Sequence, residues 1–359
     1  MDHNEKNKYL RSLIDEFSKR PIMKYCRLSY EDVPLISSYL IAMWSKNYGS
    51  NAFPYFKEDY LKWVLGGPNK DRHVLVGAKV NDQLIAYQTL LYRTVSLYGN
   101  KLNAFLITHL TISPKISLRE RLHILAQKPI FDEQSLYYER DCDLIYEFHE
   151  ENSPLRDISG RMLKTYCNLE RKILCHFNQF MVVPKRLRNY MKQNHIEEDS
   201  SLMRTASESD SEELAKLFND IPESPHFARI MTEKELKHHF FGHPKHLTFV
   251  IETEGSIRSF INFYPIEILK EDQSSLYVII EFIFSKKRDR RSIALLLNEV
   301  LKIAEKIGAK GAILENATYL DFDYYREIGL MPTFRRMTIS VVQKNHSVDY
   351  FGGFWSDVK

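Results

Sequence analysis

Hydrophobic residues alternate with polar ones in some segments of this chain, as in β-strands, and recur every three or four residues in others, as in amphipathic helices. The same order of such segments occurs twice. Residues 24–44 begin with a strand-like pattern and continue as an amphipathic helix, and residues 202–218 repeat that plan. Asp32 in the first copy and Ser209 or Asp210 in the second stand where a helix-capping side chain is expected. The pattern therefore predicts a strand followed by a helix at two places in the chain.

A strand–turn–strand pattern follows in each copy, after a segment that is rich in aromatic residues. The first turn consists of Asn81-Asp82 and the second of Glu254-Gly255. Asn, Asp and Gly tolerate the positive φ angles that two-residue hairpin turns require. We expect both segments to form antiparallel β-hairpins.

Each copy then enters a strand, a polar turn and a helix, at residues 104–127 and 276–308. Corresponding elements of the two copies lie about 171–178 residues apart, which is too long for a solenoid repeat and suits a duplicated domain. Polarity is highest between the copies. The sequence thus predicts five parts: an N-terminal helical extension (1–23), a first domain (24–191), a linker (192–201), a second domain (202–345) and a C-terminal tail (346–359).

Composition narrows the class of protein. The 359 residues are enough for two domains, and 44% apolar residues can form a large core. A net charge of +3 is too small to indicate a polyanionic partner, so nucleic acid is not expected. Four cysteines without CxxC spacing indicate a reduced, cytoplasmic chain. The polar N-terminus has no signal core, and no apolar run is long enough for a transmembrane segment.

The segment FSKKRDRRSIALLL, residues 284–297, raises a question about anion binding. A strand, a donor-rich turn and a helix form a common phosphate site, because free backbone amides and the helix dipole favour an anion. The glycines that usually allow a phosphate to approach the backbone are missing here. Two interpretations therefore stay open: a phosphate-binding turn, or a solvated turn between two core elements.

The order of elements in each copy resembles the GNAT acyltransferases. That family carries R/Q-x-x-G-x-G/A before a helix, where backbone amides bind the pyrophosphate of CoA. The aligned stretch here is RDRRSI, in which the lead arginine matches and both glycine positions, Arg291 and Ile293, depart from the motif. The resemblance implies that the second domain holds the phosphates of acyl-CoA with Arg288, Arg290, Arg291 and Ser292.

The stretch YYREIGL, residues 324–330, resembles the closing part of a GNAT domain. The resemblance implies that Tyr325 protonates the departing CoA thiolate and that Glu281, within an apolar strand, is the general base. Burial beside Ile280 and Phe282 is expected to raise the pKa of Glu281. Two structural alternatives stay open: Glu281 as an outward residue of a half-exposed strand, and Tyr325 as a packing residue.

Across residues 25–345 the chain is similar to the protein N-myristoyltransferases, which are tandem GNAT folds. The segments MLKTYCNLERKILCHFNQF (162–180) and LTFVIETEGSIRSFINFYPI (247–266) resemble that family's segments in the same order. The resemblance implies acyl-CoA phosphates at Lys115, Arg119 and Arg121 in the first domain, and an oxyanion site formed by the backbone amides of His109 and Leu110. It also implies a C-terminal carboxylate as base, although this chain continues past the aligned end to Lys359.

Two further clusters are weaker indications of a site. HHFFGHPKH, residues 238–246, has four histidines at spacings that a metal could use, but no cysteine or carboxylate lies nearby in sequence, so no metal is expected. The basic run 286–291 could contact nucleic acid or anionic lipid, but it lacks interleaved aromatic residues. The phosphates of CoA explain the run with fewer assumptions.

These observations predict an α+β protein with two tandem GNAT-like domains and mixed, largely antiparallel sheets. The expected activity is transfer of an acyl group from a CoA thioester, acetyl-CoA or another acyl-CoA, to an amine. The acceptor is a small molecule or a peptide or protein N-terminus. Which domain binds CoA stays open. The alternative is a catalytically inactive GNAT-like scaffold or acyl-CoA-binding protein.

Overall fold

The computed structural model describes residues 23–48, 53–97, 99–117, 120, 121, 124, 142–150, 169–197, 203–219, 227–270, 273–314 and 322–344. The strands are β1 (Met23–Leu28), β2 (Phe53–Pro54), β3 (Val74–Val80), β4 (Gln83–Leu97), β5 (Asn100–Ile112), β6 (Leu144–Glu150), β7 (Leu169–Val182), β8 (Met203–Thr205), β9 (Phe227–Ile230), β10 (Leu247–Thr253), β11 (Ser256–Lys270), β12 (Gln273–Ser285), β13 (Ala312–Leu314) and β14 (Leu330–Lys344). The helices are α1 (Val33–Tyr48), α2 (Glu58–Leu65), α3 (Pro184–Gln193), α4 (Ser211–Asn219), α5 (Glu233–Phe241), α6 (Arg290–Lys306) and α7 (Phe322–Glu327).

The repeated order of elements is confirmed. Each copy has a short strand and a helix, then a second helix, a hairpin and a third long strand, which in the second copy leads into α6. Most of the residues predicted as the corresponding helix of the first copy lie outside the described part of the chain. Both hairpin turns adopt positive φ angles at their two central residues, +48° and +60° at Asn81-Asp82 and +54° and +73° at Glu254-Gly255. These angles match the type I′ turn that such residues favour, so the two hairpins were predicted correctly.

The starts of the two N-terminal helices differ from the prediction by a few residues. Ser29 and Ser207 are the cap residues, each preceding a short 3-10 turn. Asp32 accepts a hydrogen bond from the Ser29 amide at 2.8 Å, and Asp210 accepts one from the Ser207 amide at 2.7 Å. These are capping boxes, in which the serine caps the helix and the carboxylate three residues later reaches back. The predicted caps Asp32 and Asp210 therefore take the second role, and Ser209 is not the cap.

The strands form one continuous mixed sheet. Its order is β1-β3-β4-β5-β6-β14-β7-β13-β12-β11-β10-β8, with β2 paired to β11 and β9 paired to β4. Only the β5–β6 and β12–β13 pairs among the described strands are parallel. Within each copy the sheet is antiparallel up to its third long strand and then turns parallel. This arrangement confirms the predicted α+β class with mixed, largely antiparallel sheets.

The two copies, here called the first and second lobe, exchange strands at the centre of the sheet. β14, the last described strand, lies between β6 and β7 of the first lobe, and β7 in turn lies between β14 and β13 of the second lobe. Ile339 pairs with Phe148 on one side and Cys175 on the other. The linker predicted at residues 192–201 remains a prediction. Strands from before and after this segment alternate at the centre of the sheet.

Helices cover the sheet on the faces that their apolar residues bury. Ile293, Leu296, Leu297 and Val300 of α6 are fully buried in a core with β11, β12 and β13. In the first lobe, α1 and α2 pack on β3 and β4 through residues such as Ile36. No described helix has the length and apolar content that a membrane span would need.

Gly329 joins α7 to β14 at a position that excludes a side chain. Its φ is +102°, and a Cβ built there would lie 2.6 Å from the backbone nitrogen of Leu187. Gly308 has a φ of +71° but open space around it. We expect Gly329→Ala to lower the free energy of unfolding by about 3 kcal/mol or more, because strained φ and a backbone clash add.

Gly308→Ala is the matched control, with an expected loss of about 1–2 kcal/mol from the φ angle alone. Urea unfolding of both variants provides the measurement. Equal losses would show that the close approach of Gly329 to Leu187 does not constrain the strand exchange.

Candidate active site

A cavity of about 390 Å³ lies between the two lobes. Trp63 and Arg93 from the first lobe line it, together with Arg229, His239 and Glu281 from the second. Strands β4 and β5 of the first lobe and β11 and β12 of the second form its floor, and α2 and α5 form its walls. The volume lies in the range of small-molecule sites in proteins.

A β-bulge in β5 places His109 at this cavity. Tyr87 pairs with Thr111 and Thr89 pairs with Thr108, so His109 and Leu110 together oppose one residue of β4. His109 has a φ of +56°, which is rare for a side chain other than glycine, asparagine or aspartate. The bulge interrupts the ladder at the two residues that the sequence predicted as oxyanion amides. Burial also lowers the pKa of the His109 imidazole to about 4, so the ring is neutral at pH 7.

A second bulge occurs at the corresponding place in the other lobe. Asn262 pairs with Phe282 and Phe263 pairs with Ile280, which leaves Glu281 as the extra residue of β12. Glu281 follows His109 by 172 positions, within the offset of the duplication. The two bulges are therefore equivalent positions of the two copies, and both residues line the same cavity.

Glu281 forms a pair with His239 of α5. The Oε1 atom of Glu281 lies 2.7 Å from Nε2 of His239, and the Glu281 side chain is 21% exposed. Burial by itself raises the pKa of Glu281, but the His239 ring, with His246 and Arg229, lowers it to about 2. The expected upward shift is thus wrong, because the sequence did not reveal this partner. Burial lowers the pKa of His239 to about 4, against the opposing effect of Glu281.

Trp63 joins α2 of the first lobe to the histidine segment of the second. Its ring lies 4.9 Å from the His239 ring and 4.1 Å from the His246 ring, centroid to centroid. Trp63 Nε1 donates to the carbonyl of His238 at 3.3 Å, and His238 Nε2 lies 3.0 Å from the carbonyl of Trp63. These contacts hold α2 against α5 and fix the width of the cavity.

The four histidines of HHFFGHPKH do not converge on one point. His239 pairs with Glu281, whereas the His246 ring is stacked on Tyr264 at 4.5 Å and His243 lies 3.9 Å from Asp59. Across the described part of the chain, no three His, Cys, Asp or Glu side chains are arranged to hold a metal ion.

The turn before α6 satisfies its own backbone groups. The Asp289 side chain accepts hydrogen bonds from the amides of Arg291 and Ser292, at 3.0 and 3.3 Å, and one from the Ser292 hydroxyl. Arg290 forms an ion pair with Glu327 at 2.6 Å, and Arg288 has a φ of +53°. A carboxylate thus occupies the helix amides that the resemblance assigned to CoA phosphate. Of the four predicted phosphate contacts, Arg291 and Ser292 contact Asp289 and Arg290 pairs with Glu327, so CoA binding by Arg288, Arg290, Arg291 and Ser292 remains a prediction.

The turn after β5 is organised differently. Ser117 caps the following helical residues, and Glu120 accepts from the amide and the hydroxyl of Ser117, both at 2.7 Å. Arg121 donates to the carbonyls of Pro114 and Ile116, at 2.7 and 3.2 Å, and so braces the turn. Lys115 is exposed, with no carboxylate partner among the described residues. Arg119, the third predicted phosphate contact, lies outside the described residues, as does Lys359.

Tyr325 does not line the cavity. It is fully buried, and its ring lies 4.9 Å from that of Phe180 in the core beneath α6. The neighbouring Tyr324 donates from its hydroxyl to the carbonyl of Arg288 at 3.0 Å. The geometry therefore favours the packing alternative for Tyr325, and Tyr324 is the tyrosine that contacts the turn before α6.

Sequence analysis did not identify three side chains of the cavity, Trp63, Arg93 and Arg229, and it considered His239 only as part of a possible metal cluster. A signal existed for the arginines, because Arg93 in LLYRTVSL and Arg229 in HFARIM each interrupt an apolar strand pattern. A charged residue among apolar neighbours indicates either a sheet edge or a buried polar site. The contact between His239 and Glu281 left no such local signal, since 42 positions separate the two residues.

Comparisons of sequence and of structure give different results. No protein-family model matches the chain, and no curated protein has a significantly similar sequence. The structure is similar to that of Saccharomyces cerevisiae N-myristoyltransferase with bound myristoyl-CoA and inhibitors, with a TM-score of 0.68 and 12% identity over 90% of this chain and 81% of that one.

Two further solved structures share the fold. A tandem GNAT protein from the clavulanic acid biosynthesis pathway gives a TM-score of 0.58 at 10% identity, over 91% of this chain and 100% of that one. An Enterococcus faecalis V583 protein described as a probable N-acyltransferase gives 0.51 at 10% identity, over 88% and 71%. At these identities the likeness concerns the fold, and it confirms the predicted pair of tandem GNAT-like domains.

The buried imidazoles make stability depend on pH. Burial lowers the pKa of His246 to about 3, and its two ring nitrogens have no hydrogen-bond partner among the described residues. A histidine whose folded-state pKa is depressed takes up a proton on unfolding, so stability is lost as the pH falls below the unfolded value of about 6.5. His246 alone is expected to contribute a loss of about 2 kcal/mol between pH 7.5 and pH 5.

His246→Phe keeps a ring on Tyr264 and removes the titration. We expect the variant to lose about 2 kcal/mol less than the wild type over this pH interval, measured by urea unfolding at both values. The position does not line the cavity. An unchanged pH dependence in the variant would mean that His246 is not held neutral by burial.

Proposed function

We propose that this protein is an acyl-CoA-dependent N-acyltransferase, which transfers an acyl group from a CoA thioester to an amine. The observation that carries the proposal is the convergence of two bulges on one cavity. One contains His109 and Leu110, whose backbone amides we assign to the oxyanion, and the other contains Glu281 with its partner His239. His109 and Glu281 both line the cavity. Attack of an amine on a thioester needs both groups: donors for the developing oxyanion and an acceptor for the amine proton.

The bulge in β5 supplies the donors. An amide that leaves the strand ladder points a hydrogen-bond donor away from its neighbour strand, and this role does not depend on the side chain. The positive φ of His109 is a strained conformation that packing must hold, since Phe56 contacts its ring at 5.0 Å and Thr89 Oγ1 lies 3.3 Å from Nδ1. Strain at such a position is typical of a functional site.

The first lobe is the better candidate for acyl-CoA. At its turn after β5 the neutral Ser117 hydroxyl accepts from the Glu120 amide and Lys115 has no carboxylate partner in the described chain, whereas the Asp289 carboxylate accepts from the first amides of α6. The first turn also carries a carboxylate, that of Glu120, but it is bound to the cap residue Ser117. A phosphate approaching α6 would meet a negative charge where it needs donors. Lys115 and Arg121 would hold the CoA phosphates, and the solved N-myristoyltransferase with bound myristoyl-CoA supports acyl-CoA as the ligand of this fold.

Glu281 and His239 accept the proton of the amine. At pH 7 the carboxylate is ionised and the imidazole is neutral, so the pair carries one negative charge in a half-buried site. That charge attracts an ammonium group and becomes neutral on taking its proton. The pair resembles the base and orienting carboxylate of a catalytic triad in its roles. The proton then leaves with the CoA thiol, and Tyr325 takes no part because it does not line the cavity.

The first test addresses the proton acceptor. Glu281→Gln is expected to lower kcat by about 10²–10⁴-fold, with acyl-CoA affinity unchanged, because it removes the charge of the pair and keeps its shape. Thiol release is measured with acetyl-, octanoyl- and myristoyl-CoA against a panel of amines and N-terminal peptides. Deletion of residues 345–359 tests the alternative base at the C-terminus.

The control is Glu305→Gln, which changes an exposed carboxylate that pairs with Arg188 on the surface. If the wild type binds acyl-CoA but transfers no acyl group to any amine, the chain is an inactive acyl-CoA-binding scaffold and the proposed function is wrong. If only the deletion abolishes transfer, the base is at the C-terminus and not at Glu281.

The second test separates the two lobes. Lys115→Ala is expected to weaken acyl-CoA binding by about three- to tenfold, since it removes one phosphate contact at an exposed site. Arg291→Ala at the start of α6 is expected to leave affinity within about twofold. Thermal shifts at graded acyl-CoA concentrations report both affinities. The reverse ranking would place CoA on the second lobe.

A further inference from the structure

Two arginine side chains share one end of the cavity. β9 of the second lobe pairs with β4 of the first, and Arg229 lies opposite Val95. Arg93 is two residues before Val95 and therefore on the same face of β4. Residues in this diagonal relation have their Cβ atoms roughly 7–8 Å apart, within reach of long side chains. Both guanidinium groups line the cavity.

Neither guanidinium has a carboxylate partner in the described part of the chain. Arg93 Nη1 donates to the carbonyl of Tyr92 at 3.2 Å, and no carboxylate lies within ion-pair distance of either arginine among the described residues. Nε of Arg229 is buried and lacks a hydrogen-bond partner in the same part of the chain. Both side chains are half-buried. A half-buried guanidinium without an ion-pair partner loses part of its hydration, and two positive charges near each other add repulsion.

The carboxylates that line the same cavity are already engaged. Glu281 is paired with His239. Glu235 accepts hydrogen bonds from the amide and hydroxyl of Thr232, at 2.8 and 2.7 Å, and a third from Asn69. These contacts hold Glu235 at the start of α5. Both carboxylates act on Arg93 through space, raising its pKa, but neither forms an ion pair with an arginine of the described chain. The two guanidinium groups therefore keep donors that a ligand anion could use.

The electrostatics of the arginines agree with this geometry. Burial, together with the charge of Arg229, lowers the pKa of Arg93 to about 9, against the opposing effects of Tyr146, Glu281 and Glu235. Burial raises the pKa of Tyr146, whereas both arginines lower it, so this phenol lies close to the two positive charges. A bound anion between the guanidinium groups would relieve their repulsion.

We infer that the acceptor amine also bears a carboxylate, which Arg93 and Arg229 bind, so that the substrate class is amino-acid-like. The inference rests on the proposed function and specifies its acceptor. The Glu281–His239 pair attracts the ammonium group at one side of the cavity, and the two guanidinium groups bind the carboxylate at the other. Tyr146 and Phe227, whose rings lie 5.1 Å apart, provide an apolar surface for the substituent.

The transferred groups balance without any further reactant. The bound ammonium first loses one proton through the Glu281–His239 pair to water. The free amine nitrogen then forms a bond to the thioester carbonyl carbon, the carbon–sulfur bond breaks, and the second proton passes through the pair to the CoA thiolate, which leaves as the thiol. The carboxylate of the acceptor is a spectator that the arginines position. The product would be an N-acyl amino acid.

Equilibrium titration tests the inference without requiring turnover. The probes are pairs of an amino acid and its decarboxylated amine: phenylalanine and phenethylamine, tyrosine and tyramine, leucine and isopentylamine, histidine and histamine. Each is titrated calorimetrically into the full chain with CoA present. We expect at least one amino acid to bind about ten- to a hundredfold more tightly than its amine, since charge-assisted contacts to two guanidinium groups are lost without the carboxylate.

The variants Arg93→Met and Arg229→Met are expected to reduce this preference to about twofold or less. Methionine fills a similar space without the charge, and replacing an unpaired buried charge by an apolar side chain tends to preserve or raise stability. Arg188→Met, on the surface beside Glu305, is the matched control and is expected to keep the preference. Urea unfolding checks that each variant is folded.

The outcomes separate the two proposals. A preference for the carboxylate that disappears in the arginine variants supports the inference, even if no acyl transfer is found and the proposed function fails. Acyl transfer to amines with no such preference supports the proposed function and overturns the inference. Absence of binding by every probe, or a preference that persists in both arginine variants, also overturns it.

Discussion

The exchange of β7 and β14 at the centre of the sheet is the constraint on which the other features depend. β14 of the second lobe has both of its neighbours in the first lobe, and β7 of the first lobe has both of its neighbours in the second, so backbone hydrogen bonds continue through the middle of the molecule without an edge. β7 has 14 residues and β14 has 15, so each strand is long enough to pair with neighbours on both of its sides. With the lobes fixed in this way, α2 meets α5 and the cavity between them has a defined width.

Both lobes have a β-bulge at the equivalent position, but the residues at the two bulges differ in their chemistry. His109 and Glu281 occupy equivalent bulges, and both bulges open towards the cavity. In the first lobe the proposed contribution is that of the backbone amides at the bulge. In the second lobe it is the side chain, whose carboxylate meets His239. The cap residues differ as well: at the first turn a serine hydroxyl accepts from the Glu120 amide and the Glu120 carboxylate accepts from the serine, whereas at the second turn the Asp289 carboxylate itself accepts from the amides of α6.

Local patterns in the sequence were sufficient for the helices, the hairpins and the repeat, because turn chemistry and hydrophobic period act over a few residues. The strand exchange was not predictable, since the sequence of β14 is compatible with any neighbour that buries Ile339 and Val341. The Asp-x-x-Ser capping pattern at Asp289 was present in the sequence, but the surrounding arginines drew the interpretation towards phosphate binding. The pairs that build the cavity, such as Arg93 with Arg229, depend on contacts over more than a hundred positions, which periodicity does not report.

The central position of β14 also determines when the protein can fold. During synthesis the first lobe leaves the ribosome with β6 and β7 separated by an empty place in the sheet, and the strand that fills it is made more than 140 residues later. Until then both strands present unpaired backbone groups, which invite pairing with other chains. The nascent first lobe is thus a partly open sheet, and its completion coincides with completion of the second lobe. Folding of the whole chain is therefore a single late event, and a chaperone that shields β6 and β7 would have its greatest effect during that interval.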